Sequence, residues 1–226
     1  MSKNHPRPRC PDCLRALSTC ICSLAQVIEH QVEVLILMHP LEEREAKGTG
    51  HLLHLCLPHS RILVGESFDT AQLEQALHGS WTHQAPRHSL LLYPDTAAQD
   101  AALGLALPAP LPQPWPQIPQ GLRLVVIDGT WRKSRKMLYL NPALQALPRV
   151  ALQEVGSSGY AIRKAHLPGQ LSSFEAAIMA LAQLQSWSAD SAAVTGLGRV
   201  FEHFVARQVQ MRQSHQALQR VPDEAQ

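Results

Sequence analysis

LRLVVIDGTWRKSRKML, Leu122 to Leu138, changes character halfway along its length. Leu122–Ile127 is a short, mostly apolar run rich in valine and isoleucine, the pattern of a strand buried on both faces. Trp131–Leu138 reads as a helix, and Pro142 ends it or follows its end. A buried strand running straight into a helix is the building unit of an α/β fold. The joint between them is Asp128-Gly129-Thr130. Sheets of this class bind ligands beyond the carboxyl ends of their strands, and Asp128 stands at such an end.

Working outward, the same alternation repeats. Val32–Met38 (VEVLILM), Arg61–Val64 (RILV) and Ser89–Tyr93 (SLLLY, stopped by Pro94) read as further strands, and Val150–Val155 as a fifth. His51–Leu57 looks helical. Asp69 with Gln72 forms a capping-box start for a helix through about Leu77. Ser173 to about Gln185 places Phe174, Ala177, Ile178, Leu181 and Leu184 on one helical face, and Arg199–Leu218 carries Phe201, Phe204, Val205 and Val209 at helical spacing. Residues 105–120 hold six prolines, so they form neither helix nor central strand and read as an extended connector inserted within the domain. The expected architecture is α/β with a mostly parallel sheet.

At 226 residues, 45% hydrophobic and 17% charged, the chain suits one globular domain with a small appendage. It is neither a disordered nor a membrane composition. No apolar run reaches the roughly 18–20 residues of a membrane span, and the N-terminus MSKNHPRPRCPDC lacks the apolar core of a secretory signal. A cytoplasmic protein with no membrane partner is expected. The net charge of +2 is unevenly spread: residues 121–170 hold eight Lys/Arg against Asp128 and Glu154. Such a segment reads either as a solvated basic face or as the seat of an anionic partner.

Four of the five cysteines, Cys10, Cys13, Cys20 and Cys22, fall within thirteen residues. In a cytoplasmic chain close cysteine pairs read as metal ligands before disulfides. Zinc takes four thiolates in a tetrahedron, and Cys10-Pro-Asp-Cys13 offers two from one turn. Four thiolates close the coordination sphere, so the expected zinc is structural. A redox pair and unliganded thiols are the competing readings. We place this four-cysteine unit at residues 1–26 and the main domain at 27–226. Cys56, inside an apolar helical run, reads as a core residue.

Gly48-Thr49-Gly50 is neither a Walker loop nor a dinucleotide fingerprint. It reads as a loop and helix start whose free N–H groups could hold an anion.

The segment after Asp128 breaks a local rule. Arg132, Lys133, Arg135 and Lys136 crowd the first turns of a helix, where the macrodipole disfavours cations. A broken local rule often marks a functional site, and this one suits a phosphate backbone. Arg163 and Lys164 could extend it. In that field Asp128 is expected to be ionised and able to accept or orient a substrate proton. Trp131 could stack on a base. The competing reading is that Asp128 or Thr130 caps the helix and Trp131 packs in the core.

Asp128-Gly-Thr130-Trp131 resembles the signature of the DTW-domain family, in particular the bacterial tRNA-uridine aminocarboxypropyltransferases. The resemblance runs along nearly the whole chain in order: the Cys cluster, His39-Pro40-Leu41-Glu42, Gly48-Thr49-Gly50 with Leu52-Leu53, Leu92-Tyr93-Pro94, Asp128 to Trp131, Tyr160-x-Ile-Arg163-Lys164, and Leu171-Ser172-Ser173-Phe-Glu175-Ala. Ser173 stands where the family pattern has threonine, and the hydroxyl is kept. The resemblance implies a fold related to the SPOUT methyltransferases, with a C-terminal knotted cofactor pocket. It implies tRNA as partner and S-adenosylmethionine as donor. The group transferred is the 3-amino-3-carboxypropyl chain, to N3 of a uridine, in bacterial relatives in the variable loop; 5′-methylthioadenosine is released.

On that footing Asp128, with Thr130 and Trp131, forms the catalytic centre. Leu92, Tyr93, Pro94, Gly129, Leu171, Ser172 and Ser173 would hold the adenosine end, and Glu175 either grips the donor amino group or merely balances its helix start. Arg132, Lys133, Arg135 and Lys136 would meet tRNA phosphates, and Arg163 or Lys164 either phosphate or donor carboxylate. The competing functions are an RNA methyltransferase of the same fold and a non-catalytic zinc-bearing RNA-binding protein. No motif fixes the oligomeric state.

Overall fold

The computed structural model describes residues 8–81, 85–94, 96, 101–102, 104–152 and 171–219. Five strands form one sheet: β1 (Glu33–Met38), β2 (Ser60–Val64), β3 (His88–Leu92), β4 (Leu122–Asp128) and the two-residue β5 (Arg149–Val150). Their order is β2-β1-β4-β3-β5, and every pairing is parallel. All six residues of β1 and all seven of β4 are buried, which is why the central strands read as unbroken apolar runs rather than as alternating ones. Val155, the far end of the expected fifth strand, lies outside the described residues.

The helices that frame the sheet are, in chain order, α1 (Gly50–Cys56), α2 (Thr70–His78), α3 (Trp131–Leu140), α4 (Pro142–Gln145), α5 (Ser173–Gln185) and α6 (Ala192–Gln219). Side chains of alternate strand residues enter two separate cores. Val34, Ile36, Leu90, Leu124 and Val126 meet α1, α5 and α6 through Leu52, Leu53, Phe174, Ile178 and Phe201. Leu35, Leu37, Leu91, Val125 and Ile127 meet α2, α3 and α4 through Leu73, Leu77, Met137, Leu138 and Leu144. The result is a three-layer sandwich with helices on both faces of the sheet. Among the described residues no helix is long and apolar enough to cross a membrane.

Most predicted elements are found within a residue or two of their expected ends. Asp69 caps α2 by accepting from the Gln72 N–H at 2.9 Å. The exceptions are β5, which ends at Val150 with Ala151 and Leu152 outside any strand, and α6, which starts at Ala192, seven residues before the expected Arg199. Gly196 and Gly198 discourage a helix by propensity. Packing overrides it: a Cβ on Gly196 would lie 3.1 Å from Ile28 Cδ1, so the glycine lets the helix approach the irregular segment that leads into β1. The proline-rich connector forms no helix or strand between 105 and 118, yet Leu111 and Trp115 pack on the larger core. Cys10, Cys13 and Ile21 are buried against that same core.

The sheet order also creates one switch point. From β1 the chain leaves toward β2, and from β4 it leaves through α3 and α4 toward β5. These adjacent central strands therefore send their connections opposite ways, and the crevice at their carboxyl ends is a topological switch point. Met38 pairs with Asp128 across it, and the His39 N–H donates to the Asp128 carbonyl at 3.0 Å.

Candidate functional site

Asp128, the last residue of β4, is 4% exposed. Its carboxylate lies against the first residue of α1: a Cβ on Gly50 would stand 2.4 Å from Oδ2 and 2.7 Å from Met38 Cε. A side chain there would force Asp128 or Met38 to move, so glycine lets the loop close on this chain's own carboxylate. Oδ2 is buried with no hydrogen-bond partner among the described residues. Burial pushes the Asp128 carboxyl up to about 6, Glu42 adds to the rise, and the Ser173 hydroxyl, Gly50 N–H and Lys133 pull it back without closing a bond to Oδ2.

At neutral pH the carboxyl is still mostly ionised, as expected, but its shift is upward and not downward, because desolvation outweighs the neighbouring cations. The geometry explains why. Lys133 Nζ is 2.7 Å from Glu42 Oε1, and Lys136 Nζ is 2.7 Å from Glu66 Oε2. The charges that should have favoured the carboxylate are largely neutralised by acids the local sequence pattern could not bring near. Those acids also relieve the awkward helix start. Lys136, then His39, hold the Glu66 carboxyl below its ordinary value. His39 accepts from the Leu41 N–H on Nδ1 at 3.1 Å, so its Nε2–H donates to Glu66 at 3.0 Å. Of the basic residues between 121 and 170, Arg123 is fully buried against Glu33 and serves the core at the opposite end of the sheet. Arg132 and Arg135 are exposed and make no ion pair among the described residues.

The cap of α3 is Thr130, whose hydroxyl accepts from the Lys133 N–H at 3.4 Å. Asp128 is therefore free of that duty. Trp131 does not pack in the core: it is 53% exposed, with its ring stacked on Tyr93 at 5.2 Å between centroids and 17° between planes. Tyr93 itself is buried, and the Arg149 guanidinium lies 5.2 Å from its ring. Around this stack opens a cleft of about 340 Å³ lined by Trp131, Tyr139, Arg132, Arg135 and Lys136 together with Leu105 and Leu138. Tyr139 is 61% exposed.

The start of α5 approaches Asp128 from the other face. Ser172 caps it, accepting from the Glu175 N–H at 3.2 Å, and Glu175 Oε2 accepts from the Ser172 N–H and hydroxyl, both at 2.8 Å. This reciprocal capping box accounts for one Glu175 oxygen. The other, Oε1, is buried without a partner among the described residues, on a residue 1% exposed. Such an orphaned acceptor is rare in a native interior and calls for an explanation. Leu92 ends β3 half-buried, Gly129 is half-buried between β4 and Thr130, and Pro94 and Leu171 are exposed. Arg163 and Lys164 lie outside the described residues.

The four cysteine Sγ atoms lie within 4.8 Å of one another. Cys10 and Cys22 are 3.5 Å apart, and Cys13 and Cys20 3.8 Å. A tetrahedron with zinc–sulfur bonds of about 2.3 Å has edges of about 3.8 Å, so the set fits that ion. Two backbone N–H groups of the turn, those of Cys13 and Asp12, lower the Cys10 thiol to about 7, and burial then raises Cys22. Thiolates this close need a cation to coexist. Cys56 is buried in the core and its thiol is pushed up to about 11 by burial, as an inert residue should be.

The DTW domain model matches residues 7–209. Over 190 residues the chain is 32% identical to tRNA-uridine aminocarboxypropyltransferase 2 of Drosophila melanogaster, covering 80% of this chain and 68% of that protein. It is 28% identical to the enzyme of the same name from Macaca fascicularis, covering 79% and 57%, and 27% identical to tRNA-uridine aminocarboxypropyltransferase A of Arabidopsis thaliana, covering 68% and 56%. The chain thus spans little more than half the length of several curated relatives. No solved structure matches it. A match over nine-tenths of the chain, with Asp128-Gly-Thr-Trp at the switch point of the sheet, places this protein in the DTW-domain family.

Proposed function

We propose that this protein transfers the 3-amino-3-carboxypropyl group of S-adenosylmethionine to N3 of a uridine in tRNA. The relatives are named as tRNA-uridine aminocarboxypropyltransferases. The observation that bears most on it is a pair of buried carboxylate oxygens, Asp128 Oδ2 and Glu175 Oε1, that have no donor among the described residues, at neighbouring ends of β4 and α5. A buried acceptor without a donor costs about 1–3 kcal/mol. A substrate bringing an N–H and an ammonium would relieve both.

In the proposed reaction Asp128 accepts the proton of uridine N3. The freed nitrogen pair attacks the carbon that joins the carboxypropyl chain to sulfur. The carbon–sulfur bond breaks, its electrons return to sulfur, and neutral 5′-methylthioadenosine leaves. A carboxyl raised to about 6 suits this role, since a base near the working pH takes a proton more readily than an ordinary aspartate while still mostly ionised at neutrality. Glu175 Oε1 accepts from the donor's α-ammonium. Gly129, Ser173, Leu171-Ser172 and the end of β3 at Leu92 to Pro94 hold the adenosine, in a SPOUT-like C-terminal cofactor pocket. Thr130 fixes the start of α3 and thereby Trp131.

Arg132 and Arg135, unpaired at the cleft among the described residues, meet tRNA phosphates, and Trp131 with Tyr139 offers stacking faces for unpaired bases. Arg163 or Lys164 completes the anion site. The target lies in the variable loop, on the likeness to the bacterial form. The four-cysteine set holds one structural zinc, and elemental analysis finding none in the purified protein removes that part of the reading. Incubation with unmodified tRNA and S-adenosylmethionine tests the whole. Aminocarboxypropyluridine and methylthioadenosine are expected. S-Adenosylhomocysteine as product would mark a methyltransferase instead, and no product a binding protein.

A further inference from the structure

The four-cysteine unit lies apart from Asp128 in sequence, yet one buried cation joins them. Arg15 follows Cys13 by two residues and is 5% exposed. Its backbone belongs to the thiolate turn: the Cys10 N–H donates to the Arg15 carbonyl at 2.8 Å, and the Leu14 N–H to the Cys10 carbonyl at 3.0 Å, with Leu14 at a φ of 56°. Its side chain leaves that turn altogether. Nη1 donates to the Ala46 carbonyl and Nη2 to the Gly48 carbonyl at 2.6 Å, and the guanidinium lies 5.3 Å from the Phe204 ring of α6.

Those two carbonyls belong to the loop that ends at Gly50, the residue pressed against Asp128 Oδ2. Fixing the Gly48 carbonyl fixes the peptide plane between 48 and 49, one residue before the N–H of Gly50. Thr49 makes no side-chain cap at the start of α1. Elsewhere the loop is tied through His51 Nε2–H to the Glu43 carbonyl at 3.0 Å, and through Glu42 to Lys133. These ties hold its first half. Among the described residues Arg15 is the side chain from outside the loop that holds 46–48.

We infer that Arg15 is a positioning residue through which the four-cysteine unit holds the 46–50 loop against the Asp128 carboxylate. The inference rests on Asp128 being the reacting base. Two carbonyls in a forked grip need a planar guanidinium: lysine reaches one of them at a time. A metal in the thiolate set would stiffen the turn from which Arg15 projects. The small metal unit would then have a task beyond its own stability, namely to keep the catalytic wall of the switch point in register. Misplacing a reacting group by a fraction of an ångström lowers a rate steeply.

The full-length Arg15→Ala and Arg15→Lys variants test this, with metal content, amide hydrogen exchange and steady-state kinetics measured on each. For Arg15→Ala, metal content stays at the wild-type value, exchange in 46–52 accelerates at least about tenfold while β4 is unchanged, and kcat falls roughly tenfold or more with KM for tRNA within twofold. Arg15→Lys falls between the two. Unchanged exchange in 46–52 overturns the inference. So does loss of metal from Arg15→Ala, because the side chain would then serve the cysteine turn itself. Exchange needs no turnover, so a protein that proved inactive on tRNA would still give this answer, and the failure of the enzyme reading would be seen separately.

Discussion

Asp128 divides two unlike halves of one site. On the α1 and α5 side everything is dry: Gly50 admits no Cβ, Glu175 is 1% exposed, and two carboxylate oxygens lack donors among the described residues. On the α3 side everything is open: Trp131 and Tyr139 are more than half exposed, and Arg132 and Arg135 face solvent. The difference separates chemistry from docking. A low-dielectric wall raises the carboxyl and makes every hydrogen bond count, whereas phosphates are best met by cations that stay hydrated until contact. The acids Glu42 and Glu66 draw the boundary, since they pair with Lys133 and Lys136 and leave Arg132 and Arg135 to the open side.

The comparison can be broken most sharply at Asp128. Asp128→Asn keeps the volume and removes the base, so kcat should fall by roughly 10²–10⁴, with tRNA affinity unchanged or slightly higher. Filter binding together with single-turnover transfer distinguishes this from a docking role, and activity within twofold of wild type would defeat the assignment. Gly50→Ala comes next. Its methyl would intrude on Oδ2 at 2.4 Å, so both kcat and the melting temperature should drop, while tRNA affinity on the open side stays within a few-fold.

On the open side Trp131→Ala should weaken tRNA binding by about 1–3 kcal/mol, the worth of one stacked base. An equal loss of kcat under saturating tRNA would show that the two halves are not separable. Arg132→Ala and Arg135→Ala should each weaken binding less, and each should lower the slope of log affinity against log salt by about 1. An unchanged slope would sink their phosphate role.

The pH dependence reads the dry side without a new side chain. The folded carboxyl of Asp128 is raised to about 6 from 3.8, so between those values the folded state holds a proton that the unfolded chain has lost. Its contribution to stability is therefore favourable in acid and is lost as pH rises through that window, by about 3 kcal/mol at most. Asp128→Asn should flatten this part of the stability curve. Transfer by the wild type should decline as pH falls below about 6, where the base becomes protonated.

Much of the fold was legible along the chain because its signals are local. The apolar runs at 33–38 and 122–128 are buried strands, Asp69 caps α2 where the capping pattern put it, and Ser173–Gln185 forms a helix over its expected length. The position of Asp128 at a strand end and the four-cysteine spacing were likewise readable, as was the order of motifs that the domain match bears out. What misled was also local. A cation cluster beside an acid suggested a carboxyl held down by charge, and apolar spacing counted only from Arg199 left the first turns of α6 unread.

The sequence by itself therefore determined the elements, their parallel α/β class and the family, since periodicity, capping and motif order are properties of neighbouring residues. Only the tertiary structure decided the sign of the Asp128 shift, the stacking of Trp131 on Tyr93 and the reach of Arg15 to the 46–48 loop. The physical reason is the same in each case. Desolvation and charge pairing depend on which groups distant segments bring together, as Glu42 meets Lys133 across 91 residues, and no local pattern carries that distance.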